Sequence, residues 1–522
     1  MDYKQDGYHG ISLERAYNEL LKNKKKLKKI IVAIIDDGSF DSSNPDLIGM
    51  EWTNKKELPG NGIDDDHNGF VDDLHGWSFT GNKLNNETSE AVREYVRLKS
   101  RFQGRADTIT LLKDAEYTYW KKMRSEKNDF VDQLTRRKSY LETRIKNFQL
   151  IQEFGNRKLG RDTIGEGDIN SLNPDTDADS TTIKAYAYVS ARIKSRLQKK
   201  DHTALFTWIK DNQKRLEGVS NDLYTVNMII ENNDAGYFRK RDLHDDPYTN
   251  IKKNYGSGDL KPLRQEYSHG MGCAGIICAL RNNSIGTNGI TNAVMIMPIK
   301  QFVGGDEWDK DVANAIIYAV DNGAQVINMS FGKYQSPQKQ WVDEAFKYAE
   351  KKGVLLISGA GNDAVNTDSV TSYPTAVYND GKKASNVINV GASGYDSPLV
   401  ANFSNYGNAS VDVFAPGVNI TTTSVNNELQ TASGTSFSAP IVCGLAAFIW
   451  SYYPTLNYKE VKYCIERSAT PVNTLVIKPG KGQKVPFRSL SKTGGIVNAY
   501  RAILIAEQIS KTIKQQGRAI FH

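Results

Sequence analysis

The chain has 522 residues and a mass of 58.2 kDa, and 39% of it is hydrophobic and 10% aromatic. At roughly 150 residues per domain this is about three domains' worth of chain with ample core-building material, which excludes a disordered polymer or a disulfide miniprotein. Lys+Arg 67 against Asp+Glu 60 leaves a net charge of +7, and with no concentrated basic stripe a dedicated nucleic-acid surface is excluded.

Residues 1–29 read as an N-terminal arm. Its first part is polar and lacks the apolar stretch of about 7–15 residues that a secretory signal requires. The basic runs Lys22–Lys29 and Lys194–Lys200 are short and read as solvated faces. Lys29–Ile35 is a continuous apolar run ending in Asp36-Asp37-Gly38, the pattern of a buried strand. Residues 30–82 form the first part of an α/β domain and include the acidic stretch Asn61–Asp73.

The composition then changes. Residues 81–250 hold 8 of the 42 glycines and 2 of the 15 prolines. Phe130, Leu134, Leu141, Ile145 and Phe148 recur at helical steps, and Ala91–Lys99, Thr110–Ser125 and Thr182–Lys199 behave alike. Residues 83–250 are therefore expected to be a helical insertion. Residues 251–510 resume the α/β pattern, with strands at Ala293–Ile299, Ala324–Met329, Val354–Ser358 and Val387–Val390 and a helix at Asp309–Asn322. Continuous apolar strands alternating with helices predict a doubly wound, mostly parallel sheet covered on both faces. The apolar run within Ser436–Tyr453 is short for a spanning helix and carries Ser, Pro and Gly, so it reads as a buried central helix and no transmembrane segment is expected. Residues 511–522 read as a tail. The four cysteines, Cys273, Cys278, Cys443 and Cys464, form no Cys-x-x-Cys pair, so neither a zinc site nor a disulfide framework is expected.

In such sheets the chemistry collects at the carboxyl ends of the strands. Three residues stand there or at helix starts in glycine-rich contexts: Asp36, His269 in Ser268-His269-Gly270, and Ser436 in Gly434-Thr435-Ser436-Phe437-Ser438-Ala439-Pro440. Each alone is a common cap or turn residue. Together they supply what a weak serine nucleophile needs: an imidazole to take its proton and a carboxylate to fix the imidazole tautomer.

The order Asp…His…Ser, with Ile34-Ile35-Asp36-Asp37-Gly38, His269-Gly270, Ala274-Gly275-Ile276 and the near-complete serine motif, resembles the subtilisin-like serine proteases, the subtilases. The resemblance covers residues ~30–80 and ~255–505 and implies a serine endopeptidase with catalytic Asp36, His269 and Ser436. It further implies that Asn362, in Ser358-Gly359-Ala360-Gly361-Asn362, donates to the oxyanion. Ser330, Phe331 and Gly332, with Gly359, Ala360 and Gly361, would hold an extended polypeptide substrate, and Ser372 would floor the main specificity pocket, favouring a medium to large apolar side chain. Two departures stand out: Asp37 replaces the small residue usual after the catalytic aspartate, and Met271-Gly272 replace the usual Thr-His. Family habit implies a secreted or envelope location with the leader absent from this chain, a cytoplasmic location being the alternative, and either a removed propeptide or none needed. A second reading is a protease-like scaffold whose helical insertion binds a protein partner.

The acidic stretch follows the first part of an EF-hand loop. Asp64, Asp66 and Asn68 take positions 1, 3 and 5, Gly69 position 6, the Phe70 carbonyl position 7 and Asp72 position 9. Position 12 is His75, so the loop is not a full EF-hand. Carboxylates this close repel unless a cation offsets them, and a structural Ca²⁺ is expected, with no organic cofactor. Asp46 matches a calcium position in parts of the subtilase family; His67 and His75 read as loop residues.

Overall fold

The computed structural model describes residues 1–26, 28–80, 88–160, 164–169, 172, 179–196, 205–237, 239, 243–246, 248–249, 255–261, 268–301 and 305–516. They fall into two compact units, one of Met1–Asn86 with Phe238–His522 and one of Glu87–Tyr237.

The larger unit is built on a nine-stranded sheet. In chain order its strands are β1 (Ile30–Asp36), β2 (Trp77–Ser78), β3 (Val294–Lys300), β4 (Val326–Met329), β5 (Leu355–Gly359), β6 (Val387–Ser393) and β7 (Val413–Pro416). Then come β8 (Ile420–Thr423) with β9 (Leu429–Ala432), a separate hairpin, and the edge strand β10 (Thr470–Pro471). A second hairpin, β11 (Leu475–Ile477) with β12 (Lys484–Pro486), precedes β13 (Gly495–Ile496). The sheet order is β10-β13-β7-β6-β5-β4-β1-β3-β2, and all its pairings are parallel except β10 with β13.

β1 sits between β3 and β4, with Ile35 opposite both Ile299 and Met329. The chain therefore leaves β1 toward one side of the sheet and later returns to the other, which makes β1 the switch point where α/β sheets place ligands. β1, β3, β4 and β5 are almost wholly buried, which explains why their sequences run apolar instead of alternating. The Thr435–Tyr452 helix packs in the larger apolar core with Val32, Val326, Leu355, Ile388 and Val413. Among the described residues it is the one helix long and apolar enough to cross a membrane, and 94% of it is buried. The other face of the sheet is covered by helices Asp309–Asp321 and Lys339–Lys351.

The N-terminal arm is packed, and two segment ends fall elsewhere than the composition suggests. The arm 1–29 is part of the core: Ile11, Leu13, Ala16 and Leu21 are buried, and the Ala499 amide donates to the Ile11 carbonyl at 2.7 Å. The tail begins later than 511, because helix Ala499–Gln516 runs on with its apolar face in the same core. The insertion ends at Tyr237, not 250, because Arg239 belongs to a buried network of the α/β unit. Its guanidinium grips Asp311 bidentately at 2.6 and 2.8 Å and reaches Asp245 at 2.9 Å. Lys310 also binds Asp245, and the Tyr255 hydroxyl donates to Asp311 at 2.6 Å.

The Glu87–Tyr237 unit is helical: Glu90–Phe102, Ala115–Leu159, Ser180–Arg196 and Leu205–Asn232. The segments that read separately around Thr110–Ser125 and Phe130–Phe148 belong mainly to one helix of 45 residues, about 68 Å long. Phe148, Ile151, Phe154, Val189, Leu205 and Trp208 form a core of this unit's own, and Tyr95 stacks on Trp120.

Candidate active site

Parallel pairing brings the carboxyl ends of β1, β4 and β5 to one edge, and the functional candidates follow from it. Asp36 is the last residue of β1 and is buried. His269 starts helix His269–Cys278, and its Nδ1 lies 2.9 Å from each Asp36 oxygen. Nδ1–H therefore donates to the carboxylate, so in the neutral imidazole Nε2 is the acceptor. The His269 side chain is 33% exposed, and its ring meets Phe437 edge-on at 5.4 Å. Asp36, His269, Ser330, Phe331, Gly332 and Ser436 border one cleft of about 590 Å³.

Burial works against charge on His269, but the Asp36 carboxylate, its hydrogen bond and the nearby Asp37 outweigh this and raise the imidazole to about 9. Cys273, buried beneath the site, is pushed well up by burial and then by Asp36, so it stays a neutral thiol. It contacts the Ser436 carbonyl at 3.6 Å, and the Ser330 hydroxyl donates to the same carbonyl at 2.8 Å.

Asn362 follows β5. Its Oδ1 accepts from the Thr435 amide at 2.9 Å and the Thr435 hydroxyl at 3.1 Å. This fixes the amide plane and turns Nδ2 away as a donor, next to the start of the Ser436 helix, where a Cβ on Gly434 would lie 3.6 Å from Nδ2 and 3.7 Å from the Ser436 amide. Gly361 has φ +102° and donates to the Thr435 hydroxyl at 3.1 Å, so the turn uses glycine's conformational freedom. Gly359, Ala360 and Ser372 border a second cavity of about 880 Å³, whose lining also includes Lys383, Lys462 and Lys492.

The acidic loop places a further carboxylate, Glu57, beside two of the residues expected to bind the ion. Asp64 and Asp66 are brought together, but the third carboxylate of the group is Glu57, within 4.8 Å of both. Asp72 faces the Asn61 and Gly62 amides at 3.2 and 2.9 Å, and so clasps a turn. Asn68 spends Oδ1 on the Phe70 amide and Nδ2 on Asp73. The Phe70 ring packs on Trp77 and Tyr318, each at 5.0 Å. Glu57 is 4% exposed, its Oε1 accepts from the Asp66 amide at 3.1 Å, and its Oε2 is buried with no hydrogen-bond partner. A buried carboxylate oxygen without a donor is costly, so the set Glu57, Asp64 and Asp66 fits a hard divalent cation. Asp46 accepts from Asn283 Nδ2 and the Thr287 amide, both at 2.8 Å, which satisfies both of its oxygens. His75 pairs with Glu51 and His67 is a left-handed turn residue.

Sequence reasoning missed Glu57, which lies outside the acidic run, and Gln430. The Gln430 amide nitrogen donates to the Ser268 and Thr423 carbonyls at 2.9 Å, bracing the residue before His269; a polar residue in a hairpin gives no sequence signal for that.

A sequence model of the subtilase family matches residues 27–488. The chain belongs to the subtilase family. The architecture is thus that of the subtilisin-like serine proteases, and the helical unit lies within the matched span. A thermophilic serine proteinase from Bacillus sp. (strain AK1) is 34% identical over 258 residues, 49% of this chain and 55% of the relative. Thermitase of Thermoactinomyces vulgaris is 34% identical over 237 residues, 45% of this chain and 74% of thermitase. Subtilisin DY of Bacillus licheniformis is 34% identical over 206 residues, 39% of this chain and 70% of that protein. The chain thus spans about half the length of the Bacillus sp. relative.

Proposed function

We propose that this subtilase is an active serine endopeptidase in which Ser436 is the nucleophile, His269 the general base, Asp36 the carboxylate that orients it and Asn362 an oxyanion donor. The observation that carries this reading is the Asp36–His269 pair, bonded at 2.9 Å and facing the cleft that Ser436 also borders. Ser436 Oγ attacks the scissile carbonyl as His269 Nε2 takes its proton. The imidazolium is held by Asp36 and then protonates the leaving amine, and water repeats the sequence on the acyl-enzyme. Asn362 Nδ2 and the Ser436 amide stabilise the oxyanion, and losing one such donor costs about 10²–10³ in turnover.

The substrate is a polypeptide in extended form, held along Ser330–Gly332 and Gly359–Gly361, with one side chain entering the cavity beside Ser372. Glu57, Asp64 and Asp66 hold a structural Ca²⁺, supported by the unsatisfied Glu57 oxygen. The resemblance to the subtilisins favours a secreted or envelope location. The test is labelling by an active-site serine phosphonate. Wild type should label and Ser436→Ala should not while keeping its fold; equal labelling of the two would sink the reading.

A further inference from the structure

We propose that Asp37 is a positioning residue that fixes the backbone of His269 while Asp36 fixes its ring. The proposal rests on His269 being the general base.

The first amides of helix His269–Cys278 have no partner within the helix, as in any helix. Its N-cap, Ser268, has the right chemistry for a local cap but makes no such bond. The Ser268 hydroxyl donates to Gln430 Oε1 at 3.3 Å instead. The cap comes from the far end of the chain's long excursion. Asp37 Oδ2 accepts from the His269 amide at 3.0 Å, and Oδ1 accepts from the Gly270 amide at 3.1 Å. The Met271 amide donates to the Ser39 hydroxyl at 3.0 Å, and that hydroxyl donates to Asp37 Oδ1. Three consecutive amides are thus capped by residues 37–39.

Burial and the neighbouring Asp36 charge push the Asp37 carboxyl up, and the His269 imidazole and the Ser39 donors offset part of this. Asp37 also accepts from the Ser39 amide at 2.9 Å, so its hydrogen-bond partners among the described residues are all donors. It is 3% exposed, and its negative charge sits at the positive end of a helix. A small residue in its place reaches none of these amides. The same contact accounts for Gly270: a Cβ there would lie 2.7 Å from Asp37 Oδ1 and 3.3 Å from the Ser39 carbonyl. The dipeptide Asp36-Asp37 therefore captures one residue twice, by side chain and by main chain, which sets both the position and the tilt of the imidazole.

The charge also reaches the ring. Among the described residues the titratable groups facing His269 are Asp36 at the end of β1, Asp37 just after it and the neutral Cys273 from its own helix, with Glu307 lining the same cleft. Lys300, beside Asp37 on β3, donates to the Lys261 carbonyl and not to either carboxylate. Asp37 is one of the two carboxylates that raise the imidazole.

The test compares wild type with Asp37→Asn and Asp37→Ser on a chromogenic peptide, with Ser436→Ala alongside. Asn keeps the shape but turns an amide NH₂ toward one backbone N–H; Ser removes the reach. A misplacement on the ångström scale costs up to about 100-fold in turnover. Both variants should lose kcat by about 10- to 100-fold with KM nearly constant, and the acidic limb of the pH profile should move to lower pH. The His269 imidazole, titrated by NMR and assigned with His269→Gln, should titrate at lower pH in Asp37→Asn whether or not the protein cleaves. An unmoved imidazole titration, an unmoved limb with kcat unchanged, or failure of both variants to fold would overturn the proposal. Loss of cleavage in wild type would instead overturn the triad reading, and leave the titration to decide the role of Asp37.

Discussion

Two regions of this chain gather carboxylates, and they satisfy them in opposite ways. At the end of β1, Asp36 and Asp37 face an imidazole, four amides and a hydroxyl, so the protein itself supplies the donors. In the 57–73 loop, Glu57, Asp64 and Asp66 draw their donors from the loop's own amides and Asn54, and one buried oxygen of Glu57 is left with none. The first arrangement is preorganised and needs no ion. The second is incomplete as a protein-only structure. Clustered acid groups thus indicate a cation only where the donor count falls short.

The largest expected effect breaks the first region. Asp36→Asn should lower kcat by about 10⁴, the scale of loss when the carboxylate of a Ser-His-Asp triad becomes an amide, because the amide favours the wrong imidazole tautomer. A loss of only a few-fold would show that the β1 carboxylates do not act through His269.

Next comes pH. As the proposed general base His269 acts in its neutral form, so log(kcat/KM) should rise with pH and level off above about 9. The stabilising side runs the other way. Because the folded imidazole is raised above its ordinary 6.5, the His269–Asp36 pair contributes stability fully below 6.5, and that contribution is lost as pH rises through about 9. Activity should therefore be gained over the interval in which this contribution fades. A plateau already reached at pH 6 would contradict the sign.

The smaller effects separate the loop residues. Chelation should lower Tm in wild type, and Glu57→Gln should lose most of that chelator sensitivity. Asp72→Ala should destabilise by about 1 kcal/mol, as loss of a turn clasp, and keep the chelator sensitivity. Equal sensitivity of Glu57→Gln and wild type would remove Glu57 from the site.

Much of the fold and the site is legible in the chain. Buried parallel strands are continuous apolar runs, so β1 and its terminal Asp36 stand out, and the glycine-rich surroundings of His269 and Ser436 follow from close backbone approaches that only glycine permits. What escapes has a common cause: a side chain's role set by a distant partner. The amides that Asp37 caps lie more than two hundred residues away. Glu57 precedes the acidic run, and Asp72 clasps the Asn61–Gly62 turn. Arg239 is one more charge in a charged segment until Asp245 and Asp311 enclose it. The 45-residue helix reads as shorter pieces because its apolar positions are separated by polar stretches, which do not by themselves end a helix.

The placement of β1 between β3 and β4 has a consequence for folding. Residue 30 must find residue 294 before the centre of the sheet exists, a long-range pairing of the kind that slows folding. Loop-closure entropy grows only logarithmically, so lengthening this connection from about 110 to about 260 residues by the helical unit costs roughly 0.8 kcal/mol if the intervening chain is flexible. A segment that condenses early around its own Phe148–Trp208 core shortens the effective loop and lowers that cost. A compact helical unit with its own core thus makes the long connection cheaper to close than its length alone implies.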